Sequence, residues 1–321
     1  MTDGPAPGAP ATPLFGGFLA RCTFPPSGAD LACAVSGGAD SLALLVLASA
    51  AGCTVTAIHV DHGIRPGSAS EAGIVADAAR RVGARFRTER VVVAPGPNLA
   101  ARARAARFAI LPPGVATGHT MDDQAETVLC NLLRGAGPDG VAGMRGGFEH
   151  PILAMRRTET EAVCREAGLE WFEDPSNADR AHLRNRVRHE LLPLCGTLGG
   201  RDPVPLLARF AALQAQDTTF LSETSVAAVP DPADTAALLQ VPEPLRARAV
   251  RRWLRSLGAT PPAGGRDAAI PGADRQPPTL ADVRRVLRVA AGDAVATEIS
   301  GGWRVRRSRG RLVASSPLER T

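Results

Sequence analysis

The chain is 321 residues long with a formal net charge of +5, and all 37 of its basic residues are arginine. Without lysine it cannot build a Walker A loop, a protein-kinase nucleotide site or a Schiff-base enzyme, each of which needs a lysine amine. At 45% apolar residues, with no uninterrupted apolar run of membrane-spanning length, it reads as a globular chain large enough for two domains, and its positive charge suits a polyanionic partner.

In chain order, Met1 to Pro13 is rich in proline, alanine and glycine and lacks a basic stretch ahead of an apolar core. It reads as a flexible tail, extending to residue 28, rather than a signal peptide. Leu31–Val35 predicts a first strand, Asp40–Ala51 a helix and Thr54–Val60 a second strand. Ser68 with Glu71 three residues on forms a capping box for a helix reaching Val82. Arg85–Val93 predicts strand three, Asn98–Leu111 a helix, Val115–Gly118 a short strand, and Asp122–Arg134 a helix closed by Gly135. Strand and helix in strict rotation predict an α/β domain, residues 29–198, built on a doubly wound parallel sheet. An arginine-rich helix from Ala181 to Leu192 then leads to a smaller, mainly helical domain, residues 199–321. Within it, Thr260–Pro278 reads as a disordered loop and Ala294–Ser316 as a short β meander. Six scattered cysteines without a C-x-x-C pair suit buried thiols in a reducing cytoplasm.

The most informative stretch is Ser36-Gly37-Gly38-Ala39-Asp40-Ser41, where the first strand breaks into its helix. Such a turn presents free N–H groups at the positive end of a helix dipole, which is an anion cradle. The glycines let backbone approach a ligand, Ser36 and Ser41 add hydroxyls, and Asp40 offers a carboxylate to a nucleotide-bound Mg²⁺. The plainer alternative is a tight turn with a serine cap. Ligands of parallel sheets sit beyond the carboxyl ends of the strands. Two further turns fall on that edge: Asp61-His62-Gly63 and Gly118 to Asp123. Asp123 and Glu126 share a helix face, whereas Asp122 points about 100° away. Two such carboxylates suit an amine or a metal, and first-turn acids also complement the helix dipole. His62 and His119 are candidates to orient a nucleotide, or ordinary turn histidines. Arg104 and Arg107, and again Arg184 and Arg188, share helix faces and could grip phosphate, although charge runs usually mark solvated faces.

Taken in order, six segments resemble the tRNA(Ile)-lysidine synthase family of the N-type ATP pyrophosphatase (PP-loop) superfamily, over about residues 29–195. They are the Ser-Gly-Gly-x-Asp-Ser loop, Val60-Asp61-His62-Gly63, Ala103-Arg104-Ala105-Ala106-Arg107-Phe108, the Gly118–Thr127 block, Glu173-Asp174-Pro175-Ser176-Asn177 and Arg184-Asn185-Arg186-Val187-Arg188. The chain departs from the family at Thr120, where many members carry a second histidine, at Phe108 (tyrosine) and at His150 (arginine before proline). Past residue 200 the resemblance is weak, and the chain looks like a short form without the extra C-terminal domain of longer members.

The resemblance implies ATP, Mg²⁺, free L-lysine and an isoleucine tRNA with a CAU anticodon as partners. ATP would adenylate the C2 oxygen of the wobble cytidine and release diphosphate; the side-chain amine of lysine would then displace AMP, giving lysidine and switching decoding to AUA. On this resemblance Asp40, Asp123 and Glu126 are catalytic, with Asp40 also the Mg²⁺ ligand. Ser36, Gly37, Gly38, Ala39, Asp40 and Ser41, with His62 and His119, bind nucleotide. Asp123 and Glu126 receive lysine, and Arg104, Arg107, Arg184, Asn185 and Arg188 take tRNA or phosphate. Two other readings stay open. One is another PP-loop tRNA-modifying enzyme such as a thiolase, which typically carries the C-x-x-C pairs absent here; the other is a non-catalytic nucleotide- or RNA-binding module. A monomer and a homodimer fit equally.

Overall fold

The computed structural model describes residues 15–61, 68–91, 99–174, 177, 179–257 and 278–316; within these, the side chains of 68–70, 99–101, 103 and 104 are not described. The chain divides into two units, Met1–Ala215 and Gln216–Thr321.

The first unit starts with a single helical turn, α1 (Gly16–Leu19), and then alternates. Its elements are β1 (Asp30–Ala34), α2 (Ala39–Ala50), β2 (Thr54–Asp61), α3 (Ser68–Arg81), β3 (Arg85–Arg90), α4 (Leu99–Ile110), β4 (Ala116–Thr117) and α5 (Met121–Leu133). The four strands form one parallel sheet in the order β3-β2-β1-β4, with Cys33 opposite Ala57 on one side and Ala116 on the other. The chain leaves β1 for β2 on one side and returns to place β4 on the other. The topological switch point therefore lies between β1 and β4, and the turns after those two strands flank a crevice there.

Helix α2 is apolar nearly all round, as a helix enclosed on every side must be. Leu42, Leu44, Leu45 and Leu47 are fully buried, in a core shared with Cys33, Val55, Ile152, Met155 and Val163. At about 1.5–3 kcal/mol per buried leucine, these four contribute roughly 6–12 kcal/mol towards holding the helix whose first turn carries the glycine loop. Beyond α5 come α6 (Pro138–Val141), α7 (Arg157–Glu166), α8 (Leu183–Arg186), a π-helical turn (Val187–Leu191), α9 (Leu192–Gly199) and α10 (Pro203–Ala228).

Several details differ from expectation. Among the described residues, those from Phe15 to Phe24, expected to belong to a flexible tail, are packed. Phe15 is buried, and Phe18, Leu19, Cys22 and Phe24 lie against the same core, so apolar burial outweighs the proline and glycine around them. The arginine-rich helix expected over 181–192 is not one α-helix. Pro193 has no N–H to give back to the chain, and the Leu192 N–H reaches Val187 O instead, which widens this turn. The division between units falls after Ala215, within α10, instead of at 198/199. The start of α10, through Val204 and Leu207, packs with Ala125, Cys130, Val187 and Leu192. Strand β3 is an edge strand with five of its six residues exposed, and its charged side chains guard that edge. The turn carrying His62, residues 92–93 of strand three, Pro175, Ser176 and nearly all of the loop expected at 260–278 lie outside the described residues.

The second unit contains α11 (Thr235–Gln240), α12 (Glu243–Ser256), α13 (Leu280–Ala291) and an antiparallel sheet β5 (Ala296–Ile299), β6 (Trp303–Ser308), β7 (Arg311–Ser315) in consecutive order. Its core gathers Leu238, Val250, Leu254, Val283, Val286, Val305 and Leu312. Among the described residues, no helix is long and apolar enough to cross a membrane.

Candidate active site

Strand β1 is followed by Val35, whose N–H still bonds to the neighbouring strand, donated to Ile58 O at 2.9 Å. Gly37 then takes φ +88°, a left-handed conformation that a side chain would strain, and its carbonyl accepts the Phe172 N–H at 2.9 Å. Gly38 is the N-cap of α2. Ser41 Oγ braces the turn from inside: it accepts the Ser36 N–H at 3.1 Å and donates to Gly38 O at 2.9 Å. The Ser41 N–H is also spent on Gly38 O, at 3.1 Å. The amides ahead of it, Gly37 to Asp40, sit where an α-helix has no internal acceptor for its first N–H groups. The turn after β4 approaches closely. A Cβ on Gly118 would lie 2.7 Å from Asp40 O and 2.8 Å from Ser41 N, so glycine is required for the two turns to meet.

Asp40 projects from the first turn of α2. Its carboxylate accepts the Thr160 hydroxyl at 2.5 Å and the Arg157 Nε at 3.5 Å. Burial pushes its pKa up to about 6; the Thr160 bond opposes this, the Asp123 charge adds to it, and Arg157 opposes it again.

Helix α5 is opened by a capping box. Asp123 Oδ2 accepts the Thr120 N–H and hydroxyl, each at 2.9 Å, and Thr120 is wholly buried as the N-cap. The other oxygen of Asp123 accepts Arg184 Nη2 at 2.9 Å and Arg157 Nη2 at 3.3 Å. Burial alone would raise the Asp123 carboxyl, but Arg157, Arg184 and the Thr120 N–H outweigh it and hold the group below its usual range. Glu126, one turn on, has no solvent exposure. It accepts Arg188 Nε at 2.6 Å, Arg188 Nη2 at 3.1 Å, Arg184 Nε at 2.8 Å and Arg157 at 3.5 Å. Asp122 is turned away, towards Arg156 at 3.1 Å and the Arg157 N–H at 2.9 Å.

The structure thus brings Asp40, Asp123, Glu126, Arg184 and Arg188 together, with both arginines paired to the acids. Glu126 is wholly buried, where a charge is costly unless it is paired, and the Arg184 and Arg188 guanidiniums face it. Asn185 is buried and donates to Asp179 O at 2.7 Å, which ties down the chain before α8. His119 sits beside Thr117 Oγ1, at 2.7 Å, and edge-on to the His150 ring, with centroids 4.9 Å apart. Arg107 lies over the Phe108 ring at 5.3 Å. Arg104 is on α4 with its side chain outside the described residues, and His62 is outside them altogether. Arg157 and Thr160, both on α7, are the residues that sequence reasoning missed. Two arginines ahead of an amphipathic helix carry no local sign that one of them reaches three carboxylates. All six cysteines are free thiols, and burial pushes Cys33 and Cys164 up to about 12, so neither is poised for sulfur chemistry.

The PP-loop domain family matches residues 19–195. Over 260 residues the chain is 40% identical to the tRNA(Ile)-lysidine synthase of Mycobacterium tuberculosis (strain ATCC 25618 / H37Rv), which covers 75% of this chain and 79% of that protein. It is 38% identical over 317 residues to the tRNA(Ile)-lysidine synthase of Salinispora tropica, covering 88% and 90%. The Thermus thermophilus protein of the same name is 41% identical over 256 residues, covering 73% of this chain and 50% of its own length.

Proposed function

The chain belongs to the tRNA(Ile)-lysidine synthase family, and from that membership we propose how its PP-loop domain joins L-lysine to C2 of the wobble cytidine in a CAU-anticodon isoleucine tRNA, converting ATP to AMP and diphosphate. The observation that carries the reading is the meeting of the glycine loop, Asp40 and the buried acids Asp123 and Glu126 at one sheet edge.

ATP phosphates take the N-terminus of α2, where the amides of Gly37, Gly38, Ala39 and Asp40 and the positive end of the dipole favour an anion. A Mg²⁺ ion needs only one or two protein carboxylates when phosphate oxygens and water complete its shell. Asp40 fits that role: its side chain is a quarter exposed, and burial draws it towards protonation, which a cation beside it would reverse. When bound, the ion would spread the charge of the departing diphosphate. His119, held by Thr117 and His150, would help orient the nucleotide.

Adenylation turns the C2 oxygen of cytidine into part of a leaving group. Lysine then brings its ammonium to Asp123 and Glu126, one of which accepts the proton so that the free amine attacks C2 and AMP departs. Arg184 and Arg188 balance the negative charge of that pair. Arg104 and Arg107 on α4 remain as candidates for tRNA phosphates, a contact that weakens steeply with salt. The enzyme would work in the cytoplasm, where its substrates are.

The reading is tested by following radiolabelled ATP in the presence of lysine. Release of AMP and diphosphate that requires a CAU-anticodon tRNA transcript supports it; cleavage indifferent to tRNA, or none, would refute it.

A further inference from the structure

Three carboxylates at the site, Asp40, Asp123 and Glu126, face three guanidiniums, Arg157, Arg184 and Arg188. The acid pair that is to receive an ammonium group is therefore already balanced. A second cation entering such a cluster gains little attraction and loses its hydration, unless one of the arginines gives way.

The contacts say which one. Arg184 holds Glu126 at 2.8 Å and Asp123 at 2.9 Å, and Arg188 holds Glu126 at 2.6 Å. Arg157 reaches all three acids but none closely: 3.3 Å to Asp123 and 3.5 Å to both Glu126 and Asp40. Its backbone is fixed, since it opens α7 and its N–H is donated to Asp122 at 2.9 Å. Its guanidinium is the loosely held part. That group also touches Asp40, which lies in the glycine loop itself, so it already spans from the acid pair towards the phosphate side.

We infer that Arg157 is a placeholder cation, whose guanidinium leaves Asp123 and Glu126 for the phosphates once ATP occupies the loop, so that lysine is admitted only to the nucleotide-loaded enzyme. One cation leaves the acid pair and one enters, so the charge of the site is conserved. Arginine suits both positions because its planar fork pairs with carboxylate and with phosphate. The exchange takes side-chain rotation about a fixed backbone, with no movement of α7. The inference takes its two ligands from the proposed function and adds an order of binding to them.

Calorimetric titration of L-lysine into the full chain tests it, alone and saturated with Mg²⁺ and the non-cleavable analogue α,β-methylene-ATP. In the wild type the nucleotide should tighten lysine binding by about tenfold or more, within the usual range of coupling between sites. In Arg157→Gln, lysine should bind equally well with and without the analogue. Equal lysine affinity in both states of the wild type overturns the placeholder, whether or not the variant folds. Coupling that survives in folded Arg157→Gln overturns it too. Absence of lysine binding in every state would overturn the proposed function along with the placeholder that rests on it.

Discussion

Replacing Asp40 with asparagine separates what the residue does for the reaction from what its burial does to the fold. The carboxyl is drawn up from 3.8 to about 6 by burial first, with the Thr160 bond opposing and the Asp123 charge adding. A folded-state pKa above the unfolded one means that the folded protein binds this proton more tightly. Stability from this group is therefore full below about pH 4 and is lost as the pH climbs through about 6. The displacement corresponds to about 3 kcal/mol at most. Solvent reaching a side chain that is 25% exposed reduces this to about 2 kcal/mol. Asparagine still accepts the Thr160 hydroxyl, and Arg157 keeps Asp123 and Glu126 as partners. Asp40→Asn should therefore melt about 4–8 °C above the wild type near pH 8, with the gap closing near pH 4. Its tRNA-dependent ATP cleavage should fall by about three orders of magnitude. Paired melts by calorimetry or circular dichroism read the stability, and AMP release reads the activity. A variant less stable than the wild type near pH 8, or a gap indifferent to pH, would refute the reasoning.

Further outcomes follow from the same geometry. Glu126→Gln leaves two partly exposed arginines short of a carboxylate and should lose about 1–3 kcal/mol in denaturant titration, while raising KM for lysine far more than KM for ATP; equal changes in the two constants would remove Glu126 from the lysine site. Gly118→Ala places a Cβ 2.7 Å from Asp40 O, a backbone atom that cannot rotate aside. It should cost about 1–3 kcal/mol and weaken nucleotide binding in a fluorescence titration, where wild-type affinity would contradict the close approach. Thr160→Val keeps the volume but removes the hydrogen bond to ionised Asp40, so its pKa should rise further. The acid limb of kcat/KM for ATP should then move to higher pH; an unmoved limb would show that Asp40 does not need to be ionised for the reaction.

What could be read in the chain was what lies close together along it. The glycine turn, its serine brace and the cap of the following helix occupy six consecutive residues, and strand-helix rotation around them is enough to place the loop on a sheet edge. The shared face of Asp123 and Glu126 follows from helical spacing alone. Partnership across the fold was not legible. Thr160 and Arg157 lie 120 and 117 positions from Asp40, and nothing in the spacing of either marks it as a neighbour. Spacing showed that Arg184 and Arg188 share a face but not which charge that face meets, and the π turn starting at Val187 was hidden in a run that otherwise reads as plain helix. The Phe15 to Phe24 segment was obscured by its own composition: prolines and glycines advertise a tail, while the few phenylalanines that pack on the core are too sparse to form a period.

Nucleoside analysis tests the central claim most directly. A CAU-anticodon isoleucine tRNA transcript, incubated with the protein, ATP, Mg²⁺ and isotopically labelled L-lysine, is digested and its cytidines are resolved by mass spectrometry. The account predicts one modified nucleoside per tRNA, carrying the whole labelled amino acid on the wobble base and absent when ATP is withheld. Unmodified cytidine at that position, from folded protein with every substrate present, would contradict it.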